Sequence, residues 1–221
     1  MTSEAIVRRE IRSRSSWWAP RTARWLKERG VTPNQVSIAS MFFGAAAGGA
    51  AILGAQQTTT AAIAGTTVLA LAMILGRLLC NLFDGMIAVE GGLKTKSGEV
   101  FNEVPDRLSD TFVLVGVGYA ITSVSWAPTL GWIGACAALF TAYARVLGGA
   151  LGLKQHFSGP MAKQHRMAVT CAGLALGAVE RIVLHTDRVL LVALLVIAAG
   201  SLVTTARRLA RVVAELEARD P

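Results

Sequence analysis

Charge is scarce in this sequence. Lys, Arg, Asp and Glu make up 16% of its 221 residues, against about 25% in ordinary soluble domains. Hydrophobic residues make up 53% and the mean hydropathy is +0.50, so a water-soluble globule is excluded. Cysteine and histidine are scarce too. Cys80, Cys136 and Cys171 lie in or at the ends of apolar stretches without ligand spacing, and His156, His165 and His185 form no metal pattern, so neither a disulfide framework nor a thiolate or imidazole centre is expected. There is no alternation of apolar and polar residues in segments of about ten, which excludes a membrane β-barrel. No internal repeat or low-complexity tract is present, and residues 1–35 lack the apolar core of a cleavable signal.

What is present is a series of apolar runs. Crossing a hydrocarbon core of about 30 Å takes about 20 helical residues. Six runs meet that need, at residues 36–55, 61–80, 107–123, 129–151, 167–181 and 189–205. The fifth is diluted by Thr170, Cys171 and small residues and is closed early by Glu180, so a buried helix that does not span is the alternative there. The expected class is an all-α integral membrane protein of six transmembrane helices. Small residues four apart, Gly44 with Gly48 and Gly173 with Gly177, permit close helix approach.

Before the first span stand Arg8, Arg9, Arg12, Arg14, Arg21, Arg24, Lys27 and Arg29, against three Glu. Lys94 and Lys96, then Lys154, Lys163 and Arg166, then Arg207, Arg208 and Arg211 follow alternate spans, while the opposite loops "QQTTT" and "VSWAP" carry no charge and "ERIVLHTD" is mixed. By the positive-inside rule both termini and the polar loops after spans two and four face the cytoplasm. Nucleic-acid binding is not expected, because the basic residues flank spans and no readout motif accompanies them. In "SSWWAPRTARWLKERG", Trp18, Thr22, Trp25 and Leu26 share one helical face and Arg21, Arg24 and Glu28 another, which suits an amphipathic interfacial helix ending near Gly30. The chain reads as one membrane domain, 1–221: an interfacial segment at 1–32, six helices at 33–206 and a cytoplasmic tail at 207–221.

The stretch "NLFDGMIAVEGGLKTKSGEVFNEVPDRLSD" puts polar groups at the edge of two spans. Such groups are costly there unless solvated, paired or ligating. Asn81 and Asp84 are i, i+3 at the end of span two, and Asn102 and Asp106 are i, i+4 at the start of span three. If the two helices are antiparallel neighbours, four oxygen-bearing side chains converge. Oxygen donors suit a hard cation, Mg²⁺ or Mn²⁺, which in turn favours a phosphate or pyrophosphate substrate. Gly85 and Gly98 leave room for a substrate backbone. The alternative is helix capping, with Asp84-Gly85 a helix end, Asn102 an N-cap and Pro105 in a first turn.

These residues resemble the signature of the CDP-alcohol phosphotransferases (CDP-alcohol phosphatidyltransferases), D-x2-D-G-x2-A-R-x8-G-x3-D-x3-D, with Asp84, Gly85, Ala88, Gly98 and Asp106 in register. The segment "GVTPNQVSIAS" and six spans with cytoplasmic ends are similar to the family as well. The resemblance implies transfer of a phosphatidyl or related group from CDP-diacylglycerol to a small alcohol, with release of CMP. It implies a divalent pair, with Asp84 the principal ligand and Asp106 both near the metals and the general base, and it suggests a homodimer, which the glycine-rich faces permit. The chain departs from the signature at Asn81, Asn102 and Val89, which stand where the family has Asp, Asp and Arg. An Asn carbonyl still ligates Mg²⁺ but brings no charge. One ion, two ions completed by substrate phosphates, and a site that binds without turnover all remain open.

Arg77, one turn before Asn81, is a candidate donor-binding residue that would partly replace the missing arginine, and Asp110, one turn beyond Asp106, is a candidate to lend charge. Arg145 inside span four, with Lys163 and Arg166 i, i+3 before span five, would form a basic pocket that resembles the family's acceptor site for a phosphorylated alcohol, snorkelling and positive-inside topology being the alternatives. Glycerol 3-phosphate is the first expectation for that acceptor and inositol phosphate the second. The competing classes are a family member that binds CDP-lipid without turnover and a small membrane transporter.

Overall fold

The computed structural model describes residues 16–90, 92–93 and 95–219. These form helices and connecting loops, with no strand among the described residues. The helices are α1 (Trp18–Glu28), α2 (Pro33–Ala55), α3 (Thr60–Glu90), α4 (Gly98–Ala120), α5 (Ala127–Ala150), α6 (Lys163–Leu184) and α7 (Arg188–Glu217).

Five of them, α2, α3, α5, α6 and α7, are long and apolar enough to cross a membrane. The expected third span lies in α4, which has the length at 23 residues, but the stretch from its start to Asp110 carries Glu99, Glu103, Asp106, Arg107 and Asp110. That charge is what keeps it below the apolarity of the others. The diluted fifth run does qualify, because its helix is a full 22 residues long.

Local sequence explains the entry to the bundle. α1 stops at Glu28 and the chain reverses at Gly30, whose φ of +75° suits glycine. Thr32 then caps α2: its hydroxyl accepts from the Gln35 amide and the Gln35 side chain accepts from the Thr32 amide, with Pro33 in the first turn. The apolar face of α1 serves the protein as much as the interface. Trp18 meets Phe83 edge to face at 6.0 Å and Leu26 packs on the same cluster, whereas Trp25 is half exposed beneath the Arg29 guanidinium.

The long helices close into a ring in which α2 packs on α3, α3 on α6, α6 on α7, α7 on α5, α5 on α4, and α4 back on α2. α3 and α4 are therefore not neighbours along their length. They meet only sparsely, across the ring. The small residues sit where the ring is tightest: a Cβ on Gly48 would collide with the Phe112 carbonyl oxygen, one on Gly44 with Ser109, and one on Gly173 would lie 2.7 Å from the Ala193 Cβ. This is the small-residue packing of helices that have no hydrophobic drive to associate in lipid.

Gly48→Ala should therefore destabilise the detergent-solubilised protein by about 1–3 kcal/mol, the usual cost of overpacking, read as a fall in apparent Tm. Gly65→Ala is the control, because nothing lies within 4 Å of the added methyl.

Candidate active site

α3 does not stop where its apolar run ends at Cys80; it continues as helix through Asn81, Asp84, Gly85 and Ala88 to Glu90. α4 begins at Gly98, so Asn102 lies inside it and Pro105 is beyond its first turn. Helix capping therefore explains neither Asp84-Gly85 nor Asn102. Asn81 reaches Asp106 across the ring at 3.2 Å, with Asp84 one turn beyond Asn81 on α3, while among the described residues Asn102 is exposed and makes no hydrogen bond with them.

Asp106 is the centre of the cluster. Its Oδ1 accepts from Lys163 Nζ at 2.5 Å, from Arg77 at 3.2 Å and from the Asn81 amide at 3.2 Å, and its Oδ2 accepts from Arg107 at 3.2 Å. Asp84 is equally buried but differently served. Its Oδ2 accepts the Ser37 hydroxyl of α2 at 2.7 Å and its Oδ1 the Gly85 amide at 2.5 Å. Among the described residues Asp84 forms no ion pair.

Behind these lies Asp110, held between two arginines. Arg77 donates to its Oδ1 and Arg166 to its Oδ2 at 2.8 Å. Both guanidinium groups are buried, at 0% and 1% exposure, and Arg166 also donates to the Thr141 hydroxyl and the Met161 carbonyl. Each arginine leaves its Nε without a partner. A carboxylate is the only group in reach that offsets such buried charges.

The other expected acceptor residues are spoken for differently. Arg145 pairs with Glu103 at 2.6 Å, donates to Gln155 and lies over the Phe157 ring. Arg166 is turned inward to Asp110. Lys163 alone of the three reaches the signature carboxylates. Gly98 is close to Thr95, Ala88 is half-buried, and Val89 is exposed at the end of α3.

Two features escaped the sequence reading. Ser37 looks like an ordinary small residue in an apolar run. Arg207, Arg208 and Arg211 look like topology signals, yet with Ser158, Gly159 and Pro160 they line a cavity of about 240 Å³. Arg208 is buried and donates to the carbonyls of Thr141, Phe157 and Ser158. Thr141 thus joins the cavity wall to Arg166. The burial cost of Arg208 is a signal that flanking charge alone does not carry.

The donor set suits a hard cation. Asp84 offers a buried carboxylate without an ion partner, and Asn81 offers an amide oxygen one turn away. Among the described residues no three acidic, imidazole or thiol groups form a metal cluster.

No protein-family model and no curated protein sequence matches the chain. Its fold is shared with that of a solved membrane-lipid synthase. The phosphatidylinositol phosphate synthase PgsA1 of Mycobacterium tuberculosis, in complex with manganese and citrate, superposes with a TM-score of 0.69 at 23% identity over 88% of each chain. The same enzyme with CDP-DAG bound gives 0.68 at 22% identity, over 89% of this chain and 94% of that one. Its apo form gives 0.68 at 23% identity, covering 87% of this chain and 94% of that one.

Asp110→Asn should cost about 3–5 kcal/mol of stability, because it leaves Arg77 and Arg166 buried with too little compensating charge. The check is thermal unfolding in detergent.

Proposed function

We propose that the chain is an integral-membrane CDP-alcohol phosphotransferase that moves a phosphatidyl group from CDP-diacylglycerol to a small phosphorylated alcohol and releases CMP. The observation that carries this reading is the hydrogen bond across the ring from Asn81, one turn before Asp84 on α3, to Asp106 on α4, with the D-G-x2-A and G-x7-D spacing intact. The fold shared with PgsA1, which has been solved with CDP-DAG and with manganese, supports it.

Asp84 and Asn81 would hold Mg²⁺ or Mn²⁺, with Asp106 at its edge. When bound, the ion neutralises the pyrophosphate and eases departure of CMP. The chain's own residues do the rest. Asp106 keeps three donors on Oδ1 but only Arg107 on Oδ2, so Oδ2 retains a lone pair for the acceptor's hydroxyl hydrogen. The acceptor oxygen attacks the phosphorus bearing the lipid, the bond from that phosphorus to CMP breaks, and the proton passes to Asp106. Gly85 and Ala88 present a low helix surface to the donor, and Gly98 opens the facing helix.

The acceptor's own phosphate is assigned to the cavity lined by Ser158, Arg207, Arg208 and Arg211, because Arg145 and Arg166 are paired with carboxylates, whereas Arg208 donates to neutral carbonyls. Glycerol 3-phosphate and inositol phosphate both fit this chemistry. The distribution of Lys and Arg puts this edge and both termini at the cytoplasmic face.

Purified protein given radiolabelled CDP-diacylglycerol, Mg²⁺ or Mn²⁺ and a panel of phosphorylated alcohols should release CMP with at least one of them. Asp106→Asn should lower that rate by about 10²- to 10⁴-fold, the range for a general base. Binding of the donor without CMP release with any acceptor would replace this reading with that of a CDP-lipid binder.

A further inference from the structure

The two signature carboxylates, Asp84 and Asp106, are not equivalent, and the difference concerns how many ions the site takes. Asp106 is surrounded by cations: Lys163 at 2.5 Å, Arg77 at 3.2 Å and Arg107 at 3.2 Å. Asp84, at 5% exposure, has no cation within ion-pair distance among the described residues, and its hydrogen-bond partners are a hydroxyl and an amide; Lys163 acts on it only from farther away. A buried carboxylate without a partner charge either takes up a proton or is stabilised as the anion by a supplied cation. One whose charge is already balanced has little to offer a second ion.

We propose that Lys163 is a built-in substitute for a second divalent ion, so that the chain loads a single ion, on Asp84 and Asn81, and holds Asp106 with its own ammonium group. This rests on the transferase reading above. Asn81 belongs to the same arrangement. Its amide donates a hydrogen bond to Asp106 Oδ1 at 3.2 Å. An aspartate there would set two carboxylates against each other, a repulsion that a shared ion relieves and that an asparagine never creates. Asn102 points the same way, since it is exposed and outside the hydrogen-bonded cluster.

The charge balance follows. With Lys163 on Asp106, one divalent ion at Asp84 already brings the pair of carboxylates past neutrality. A second ion would leave an excess of positive charge for the substrate alone to offset.

The test is Mn²⁺ titration of the purified full-length protein without substrate, followed by the electron paramagnetic resonance signal of free Mn²⁺. One ion per chain is expected for the wild type and for Lys163→Arg. Asp84→Asn should weaken that ion by at least about tenfold, and the Asn81→Asp, Lys163→Met double variant, which adds a carboxylate and removes the ammonium, should take two ions. Two ions or none in the wild type, or one in the double variant, would overturn the proposal. Should the double variant fail to fold, the wild-type stoichiometry decides alone. CMP release is a separate measurement: one ion without CMP release removes the transferase reading and keeps the stoichiometry, whereas CMP release with two ions removes only the role of Lys163.

Discussion

A single buried carboxylate, Asp110, joins three helices. It draws the guanidinium of Arg77 from α3 and that of Arg166 from α6 onto α4, at a depth where none of the three is solvated. Neither arginine would be tolerated there alone, and Asp110 would not be tolerated without them. Satisfying these charges forces α3 and α4 together at a point where their apolar surfaces give little contact. It is also what brings Asp84 and Asp106 within electrostatic reach of each other. The candidate site is in this sense a consequence of a structural ion network one turn below it.

The membrane setting makes that network decisive. Helices in lipid gain little from burying apolar surface against each other, so close packing and polar contacts determine which faces meet. Glycine contacts fix α2 on α4 and α6 on α7, while the arginine and aspartate network fixes α3 relative to α4 and α6. Ser37 shows how the two kinds of contact cooperate. α2 sits close enough, through Gly44 on Ser109, for the Ser37 hydroxyl to reach Asp84 and for Ser109 to donate to the Ser40 carbonyl.

Much of this was legible in the sequence because hydropathy and glycine spacing act locally. The apolar runs mark the long helices, and Asn81, Asp84, Asp106 and Asp110 stand out as polar groups where polarity is costly. What was not legible depends on how distant segments are placed. A polar residue at the end of an apolar run looks like the end of a helix, yet α3 continues to Glu90 because its polar side chains find partners on other helices. Arg145 looks like a lone cation until Glu103, from another helix, is seen to pair with it. Asn102 shares its spacing with Asp106 but is exposed, which periodicity alone does not separate.

Asn81 and Lys163 make sense together more readily than one at a time. Asn81 alone looks like the loss of a metal ligand, and Lys163 alone looks like a cation waiting for substrate. Placed within hydrogen-bond distance of the same oxygen of Asp106, they describe one device: an amide that removes a repulsion and an ammonium that supplies a charge. The same device leaves Asp84, among the described residues, as the carboxylate with no cation within ion-pair distance. A site built in this way has its electrostatic demand set by residues from α3 and α6 together, and a change at position 81 has a meaning that depends on what stands at position 163.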